Sequence, residues 1–150
     1  MEEVDIRSFR HALRCFERMV VAQFKDSGCC QGVTLAQCHA LMEVDSRGSL
    51  TLLELAQGLG LDKSTLSRTV NGLVDGGLVE RKPHPRDRRS VLLLLTERGK
   101  QKCAHINQGN DTHFRRVFDR IAPDSRASVQ AGFQALVKAM SEETDESCSR

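Results

Sequence analysis

The sequence has little aromatic character: tryptophan and tyrosine are absent, and the only large aromatic side chains among 150 residues are six phenylalanines. A core built from this chain must therefore be mainly aliphatic. Aromatic side chains also supply the platforms on which proteins stack single-stranded nucleic acid, so a role of that kind is disfavoured. The chain has no apolar run near the ~20 residues that a membrane helix needs.

Targeting and catalytic motifs are missing as well. The acidic start, Met1–Asp5, lacks the basic segment and apolar run of a secretory signal, so we expect a cytoplasmic protein. No nucleophile, base and orienting residue form a recognisable set, and there is no glycine-rich phosphate loop. We therefore expect that the protein is not an enzyme and requires no cofactor.

Charge is distributed unevenly along the chain. The net charge of +2 is too small to indicate a nucleic-acid partner by itself. From Arg81 to Arg89, however, four arginines and one lysine stand against a single acid, Asp87. This local cluster, rather than the average over the chain, indicates a partner of negative charge.

Capping motifs and apolar periodicity predict four helices in the first half of the chain. An apolar stripe at spacings of three and four predicts a first helix over 4–26. Thr34 and Thr51 each begin a capping box, in which the hydroxyl accepts a backbone N–H and a Gln or Glu three residues later reaches back. They start the second and third helices. Asp62 is the N-cap of a fourth helix over 63–75.

A hairpin and two longer helices follow. Apolar, β-rich runs predict strands over 78–81 and 90–95, and the prolines between them exclude that segment from the sheet. Thr96 caps a long fifth helix that ends near residue 121. Pro123 suits the first turn of a sixth helix, which ends near residue 140.

This order of elements predicts a mainly α fold with a small β wing of two or three strands. Residues 34–96 form a winged helix–turn–helix DNA-binding domain. The helical segments 1–33 and 97–140 form a dimerisation region, because a monomer would leave their apolar stripes short of partners. We expect a homodimer, with a flexible tail over 141–150.

The fourth helix is the candidate reading helix. Leu66, Val70, Leu73 and Val74 share one face and anchor it, whereas its other side chains are small, polar or basic, as suits insertion into a DNA major groove. Its predicted DNA-contacting residues are Lys63, Ser64, Thr65, Ser67, Arg68 and Asn71. The alternative is a capped surface helix whose polar residues only face water.

The loop between the two strands is the candidate wing. Held on a hairpin, its basic side chains can enter a minor groove or contact phosphates. The predicted contacts are Arg86, Asp87, Arg88 and Arg89, and His84 is a further candidate. Asp87 is placed to pair with the guanidinium of Arg89. The alternative is a charged loop that is merely solvated.

Two stretches resemble the MarR family of winged-helix transcriptional regulators. One is the run from Asp87 to Gly99, Asp-Arg-Arg-Ser-Val-Leu-Leu-Leu-Leu-Thr-Glu-Arg-Gly, and the other extends from Leu55 to Arg68. The resemblance implies a homodimer that binds a palindromic operator in double-stranded DNA, usually as a repressor. By position it implies that Ser64, Thr65, Ser67 and Arg68 meet bases or nearby phosphates, that Asp87 and Arg89 shape the wing, and that Arg89 reaches the minor groove.

Six cysteines in such a protein are better suited to thiol chemistry or metal binding than to a disulfide framework. The candidate effector residues are Cys29, Cys30, Cys38, His39 and His105. By rough position, Cys29 or Cys30, Cys38 and His105 are similar to the ligands of a zinc-sensing branch of the family. Thiolates prefer soft ions, so the candidates are As(III) and Cu(I), with Zn(II) disfavoured because cysteines largely replace that branch's carboxylates.

Three alternatives to a metal sensor stay open. An oxidant can react with a thiol, and Cys15 lies between Arg14 and Arg18, although packing is the simpler role for Cys15 and for Cys103. A small aromatic acid can instead act in the cleft that the family forms between dimer base and reading domain. A lesser alternative is a winged-helix module that binds proteins.

Overall fold

Helices and short strands alternate along the part of the chain that the structure covers. The computed structural model describes residues 4–26, 30 and 32–148, with Asp26 and residues 144–148 described by backbone only. Two units are distinguished, 1–109 and 110–150. The elements are α1 (Ile6–Asp26), α2 (Leu35–Arg47), β1 (Leu50–Thr51), α3 (Leu52–Leu59), α4 (Lys63–Asp75), β2 (Val79–Pro83), β3 (Val91–Leu95), α5 (Glu97–Asp119) and α6 (Pro123–Cys148).

Side-chain caps fix the starts of the helices as predicted. Both capping boxes form: Thr34 accepts from the backbone of Gln37, Thr51 accepts from that of Glu54, and each partner side chain reaches back. These bonds satisfy N–H groups that have no partner inside a helix. α2 ends at Arg47, three residues beyond the apolar pattern, because Gly48 closes it with φ of 77°.

The sheet confirms the mainly α fold with a small wing and sets its strand number at three. Its order is β1-β3-β2 with antiparallel pairing, Leu50 lying opposite Leu93 and Arg81 opposite the same leucine on the other side. β1 has two residues and was not predicted. Pro83 was expected outside the sheet, but it pairs with Val91 at the end of β2, where the ladder stops.

A single aliphatic core holds the helix–turn–helix against the sheet. Among its fully buried members are Leu41 and Val44 of α2, Leu55 of α3, Leu66, Val70 and Leu73 of α4, Leu50 and Leu93 of the sheet, and Cys103 of α5. Leu66, Val70 and Leu73 are the predicted anchors of α4, and Val74 is half-buried beside them. The polar face of α4 is therefore turned outward.

The first turn of α5 is hydrogen-bonded to the turn that follows α4. The Thr96 hydroxyl accepts from the backbone of Gly99 and donates to the carbonyl of Gly77 at 2.6 Å. A Cβ on Gly99 would lie 2.0 Å from the carbonyl oxygen of Leu78, so only glycine permits this approach. The turn after α4 and the start of α5 thus form one closely packed joint.

The two terminal helices expose apolar side chains. On α1 these are Ile6, Phe9, Phe16, Met19, Val20 and Val21, and on α6 they are Val129, Phe133, Val137 and Met140. The predicted end of the sixth helix at residue 140 was wrong, since α6 continues to Cys148 through the segment expected to be a tail. No helix in the described part of the chain is both long and apolar enough to cross a membrane.

Candidate nucleic-acid interface

The first turn of α4 is organised around the carboxylate of Asp62. One oxygen, Oδ1, accepts from the backbone N–H groups of Ser64 and Thr65 and from the Ser64 hydroxyl. The other, Oδ2, accepts from the Thr65 hydroxyl at 2.6 Å. These hydrogen bonds hold the pKa of Asp62 well below its ordinary value, so the group is a carboxylate at neutral pH.

The side chains predicted to read DNA lie on one outward face of α4. Lys63, Ser64, Thr65, Arg68 and Asn71 are exposed, and Ser67 is half-buried. This placement follows from the burial of the opposite face in the core. Their contacts with DNA remain predictions.

A contact that the sequence did not suggest joins α4 to the sheet. The guanidinium of Arg81, on β2, donates to the side-chain oxygen of Asn71. The two residues are ten positions apart, and their approach depends on how the helix packs on the strand. Asn71 was assigned only to DNA, yet its oxygen already has a partner inside the protein.

The wing loop is held together by its own polar groups. Nδ1 of His84 accepts from the backbone N–H groups of Arg86 and Asp87, each at 3.1 Å. The backbone of His84 donates to the carbonyl of Ser90, which closes the loop. His84, proposed from the sequence as a DNA contact, therefore also shapes the loop.

Asp87 stabilises the same loop in a way that differs from the prediction. Its carboxylate accepts from the backbone N–H of Arg89 at 2.9 Å and from the Ser90 hydroxyl at 2.8 Å. The expected pair with the Arg89 guanidinium does not form, because the carboxylate is already taken by the turn. These bonds, with the nearby imidazole of His84, lower the pKa of Asp87. The side chains of Arg86, Arg88 and Arg89 are exposed.

The candidate effector residues are only partly brought together. Cys30 and Cys38 are both buried in a small cluster with Ile106, flanked by Phe24 and Met42. Cys29 lies outside the described residues. His39 is exposed on α2, and His105 is exposed on α5. Among the described residues, no three His, Cys, Asp or Glu side chains form a group that could hold a metal ion.

The remaining described thiols differ in their surroundings. Cys103 is fully buried and its thiol approaches the carbonyl of Leu41; burial, with a smaller effect of Asp45, raises its pKa to about 11. Its interpretation as a packed residue fits this environment. Cys15 is half-buried, with Nε2 of His11 at 3.6 Å and the guanidinium of Arg18 donating to its sulfur at 3.3 Å.

A cleft of about 390 Å³ lies between the start of α2, the end of α4 and the first turns of α5. Arg98 and Lys102 give one wall positive charge, with His105 beside them, and the apolar wall consists of Val33, Leu73 and Leu78. Arg98 is held there by a hydrogen bond to the carbonyl of Gly76. None of the described residues that line this cleft is acidic, so its chemistry suits a small organic anion.

Comparison of sequences relates this region to known regulators. Residues 31–90 match the MarR family model. The multiple antibiotic resistance protein MarR of Escherichia coli (strain K12) is 37% identical over 83 residues, covering 54% of this chain and 58% of that protein. The aligned part thus spans little more than half the length of that relative.

Comparison of structures covers nearly the whole chain. RV1404 from Mycobacterium tuberculosis has a TM-score of 0.77 at 28% identity, over 93% of this chain and 97% of that one. FabT from Streptococcus pneumoniae, solved in complex with DNA, has a TM-score of 0.78 over 91% of this chain and 96% of that one, but its 18% identity supports the fold alone.

Proposed function

This chain belongs to the MarR family, and we propose that it binds a palindromic operator as a homodimer and represses transcription until a thiol-seeking effector releases it. Members of this family are transcription regulators and not enzymes, in agreement with the expectation from the sequence that no catalytic site is present. The proposal therefore concerns the DNA surface, the dimer and the effector.

The observation that carries the proposal is that the apolar side chains of α4 are buried in the core, whereas the basic side chains of α4 and the wing are exposed. Leu66 and Val70 bury one face of α4, which leaves Lys63 and Arg68 exposed on the other. The wing adds three exposed arginines on a loop that is internally hydrogen-bonded. A basic helix beside a basic hairpin suits a major groove and the adjoining phosphates or minor groove.

The dimer is inferred from the uncovered apolar faces of α1 and α6. Phe9 and Phe16 are 40% and 41% exposed, and Phe133 is 50% exposed. Burial of such side chains in an interface contributes about 1.5–3 kcal/mol each. We infer that a second copy of this chain covers these faces, because the two-fold symmetry of a homodimer matches that of a palindromic operator. The dimerisation segments 1–33 and 97–140 remain the proposed ones.

The effector is proposed to act on Cys30 and Cys38, together with Cys29. Cys38 lies in the first turn of α2 and shares its buried cluster with Cys30, which comes from the segment before that helix. Because the cluster also contains Ile106 of α5, a thiol that gains a large or charged substituent there must displace a helix that belongs to the reading region's core. Such a displacement would change the position in which the core holds α4 for DNA binding.

The donor set favours a soft ion or a thiol reaction over zinc. Structural zinc takes four ligands in a tetrahedral arrangement. The described residues bring two thiols together, while His39 and His105 are exposed. Two thiols suit Cu(I), or As(III) with Cys29 as a third ligand, and they equally suit oxidation.

A second candidate effector is a small aromatic acid, which the cationic cleft between α2, α4 and α5 favours. Lys102 and His105 would face its carboxylate, and Val33 and Leu78 would contact its ring. An occupant there would touch Gly76, at the end of α4. This route to release is independent of the cysteines.

The test is fluorescence anisotropy of the reduced protein on duplex DNA from its own upstream region. As(III), Cu(I), Zn(II), peroxide and salicylate are titrated separately. We expect salt-sensitive binding, release by thiol-seeking agents, and loss of that release in Cys30→Ala and Cys38→Ala. Cys103→Ala is the matched control, because it removes a buried thiol from the neighbouring cluster and should leave release intact.

The other outcomes separate the alternatives. If the same agents still release the Cys30→Ala/Cys38→Ala double variant from DNA, the cysteine proposal is overturned. Release by salicylate alone, lost in Lys102→Ala but kept in Lys100→Ala, would establish the cleft, since Lys100 lies on α5 outside it. A protein that binds no duplex DNA in a salt-dependent manner would instead be a protein-interaction module.

A further inference from the structure

We propose that Asp62 determines which bases α4 can recognise, by fixing the hydroxyls of Ser64 and Thr65 as hydrogen-bond acceptors toward the DNA. The inference rests on the proposed function, since it concerns the chemistry of the same surface. It assigns a specificity role to a residue that the sequence marked only as a helix cap.

The geometry commits both hydroxyl protons to one carboxylate. The Ser64 hydroxyl donates to Oδ1 of Asp62, and the Thr65 hydroxyl donates to Oδ2, each at 2.6 Å. A hydroxyl has one proton and two acceptor lone pairs. Since a carboxylate is a stronger acceptor than a neutral base atom, both hydroxyls keep donating to Asp62 when DNA approaches.

The remaining lone pairs of Ser64 and Thr65 have a defined preference in a major groove. Adenine and cytosine present amino donors there, whereas guanine and thymine present acceptors at the corresponding edges. Hydroxyls that only accept hydrogen bonds therefore favour adenine or cytosine at the positions they face. They also cannot donate to a phosphate oxygen, which assigns phosphate contacts to Lys63 and Arg68.

The ionisation of Asp62 makes this arrangement stable over the working pH range. Four hydrogen bonds to the carboxylate keep its pKa low, so at neutral pH neither oxygen carries a proton that it could return to a hydroxyl. The backbone N–H groups of Ser64 and Thr65 also fix the side chain's orientation, because both donate to Oδ1.

Asp62→Asn is the decisive substitution. Asparagine is as good an N-cap as aspartate, and the two backbone N–H groups require its oxygen at the Oδ1 position. The amide NH₂ then replaces Oδ2 and donates to Thr65, whose own proton turns outward. One hydroxyl thus changes from acceptor to donor while the cap is retained.

The experiment measures binding to a set of duplexes in which each base pair of one operator half-site is replaced in turn, starting from DNA of the protein's own upstream region. We expect Asp62→Asn to shift the preference at one base pair per half-site from adenine or cytosine toward guanine or thymine. The shift should be roughly three- to tenfold, as expected for one hydrogen bond. Thr65→Val should abolish the preference at the same base pair.

Asp75→Asn is the matched control, because it removes an equal charge at the far end of α4. It can raise affinity for all duplexes but should leave the preferences unchanged. Unaltered preferences in Asp62→Asn, or a preference that persists in Thr65→Val, would overturn the inference while DNA binding itself stands. Failure of the wild type to bind any duplex would overturn the proposed function.

Discussion

The guanidinium of Arg81 donates to the side-chain oxygen of Asn71, and this hydrogen bond connects β2, the strand that leads into the wing, with the outward face of α4. Both residues are exposed. We therefore expect the contact to matter less for folding than for the relative placement of the two surfaces proposed to bind the same DNA.

A double-mutant cycle tests this placement. Asn71→Ala and Arg81→Ala should each weaken operator binding, and the double variant should bind about 1 kcal/mol better than the sum of the single effects predicts. The reason is that either substitution alone already breaks the connection. Anisotropy gives the four affinities, and melting curves check the fold. Strictly additive losses would show that the two residues act separately.

The joint at the start of α5 predicts a large effect of a very small substitution. Gly99→Ala places a methyl group against the carbonyl of Leu78, and we expect a loss of about 3 kcal/mol in the free energy of unfolding, the upper range for overpacking. Gly58→Ala is the control, since its methyl would meet only the ends of the Glu43 and Arg47 side chains. Urea denaturation measures the free energy of unfolding of both variants. Equal values would show that the start of α5 is not closely packed against Leu78.

Acid should destabilise the protein through Asp62 and Asp87. Folding lowers the pKa of both carboxyls, so their stabilisation is complete above the ordinary value of about 3.9 and is lost as the pH falls through the lower folded values. An Asp62→Asn/Asp87→Asn variant should therefore lose less stability than the wild type between pH 5 and strong acid. Urea denaturation across this range is the measurement, and parallel pH curves would refute the assignment.

The thiol of Cys103 should be unreactive in the folded protein. Its raised pKa, about 11, leaves almost no thiolate at pH 8, and the side chain is 1% exposed. Mass spectrometry after iodoacetamide treatment should show labelling of Cys103 only once urea unfolds the chain, whereas half-buried Cys15 is labelled earlier. Rapid labelling of Cys103 in the native protein would show that α5 opens locally.

The wing provides a prediction about DNA affinity. Arg89→Ala should weaken operator binding several-fold and reduce its salt dependence, with little change in stability, because the turn uses only the backbone N–H of Arg89. His84→Ala removes an acceptor of two backbone N–H groups and should weaken binding by loosening the loop instead. An unchanged affinity for Arg89→Ala would place the DNA surface elsewhere.

Local chemistry explains how much of the fold was predictable. The caps at Thr34, Thr51 and Asp62 depend on partners two or three residues away, so the sequence predicts them directly. The anchors of α4 follow from helical spacing. By contrast, the two residues of β1 carry no periodicity, and their strand exists only because β3 lies beside them.

The missed features of the site depend on packing or on competition between partners. Arg81 meets Asn71 only through the docking of α4 on β2, which spacing does not reveal. Asp87 was predicted to bind the guanidinium of Arg89, but its carboxylate instead accepts from the backbone N–H of that residue, which the turn orients toward it. The clustering of Cys30 with Cys38 was suggested by their positions, whereas their burial beneath α5 was not.

Within the wing, different residues provide the shape of the loop and its charge. His84, Asp87 and Ser90 make the hydrogen bonds that define the turn, whereas the side chains of Arg86 and Arg88 point outward. A substitution of Arg86 or Arg88 therefore leaves the side-chain hydrogen bonds of the loop in place. If the wing contacts DNA as proposed, a substitution of one exposed arginine changes one operator contact, whereas a change to any of the three shaping residues moves all of these contacts together.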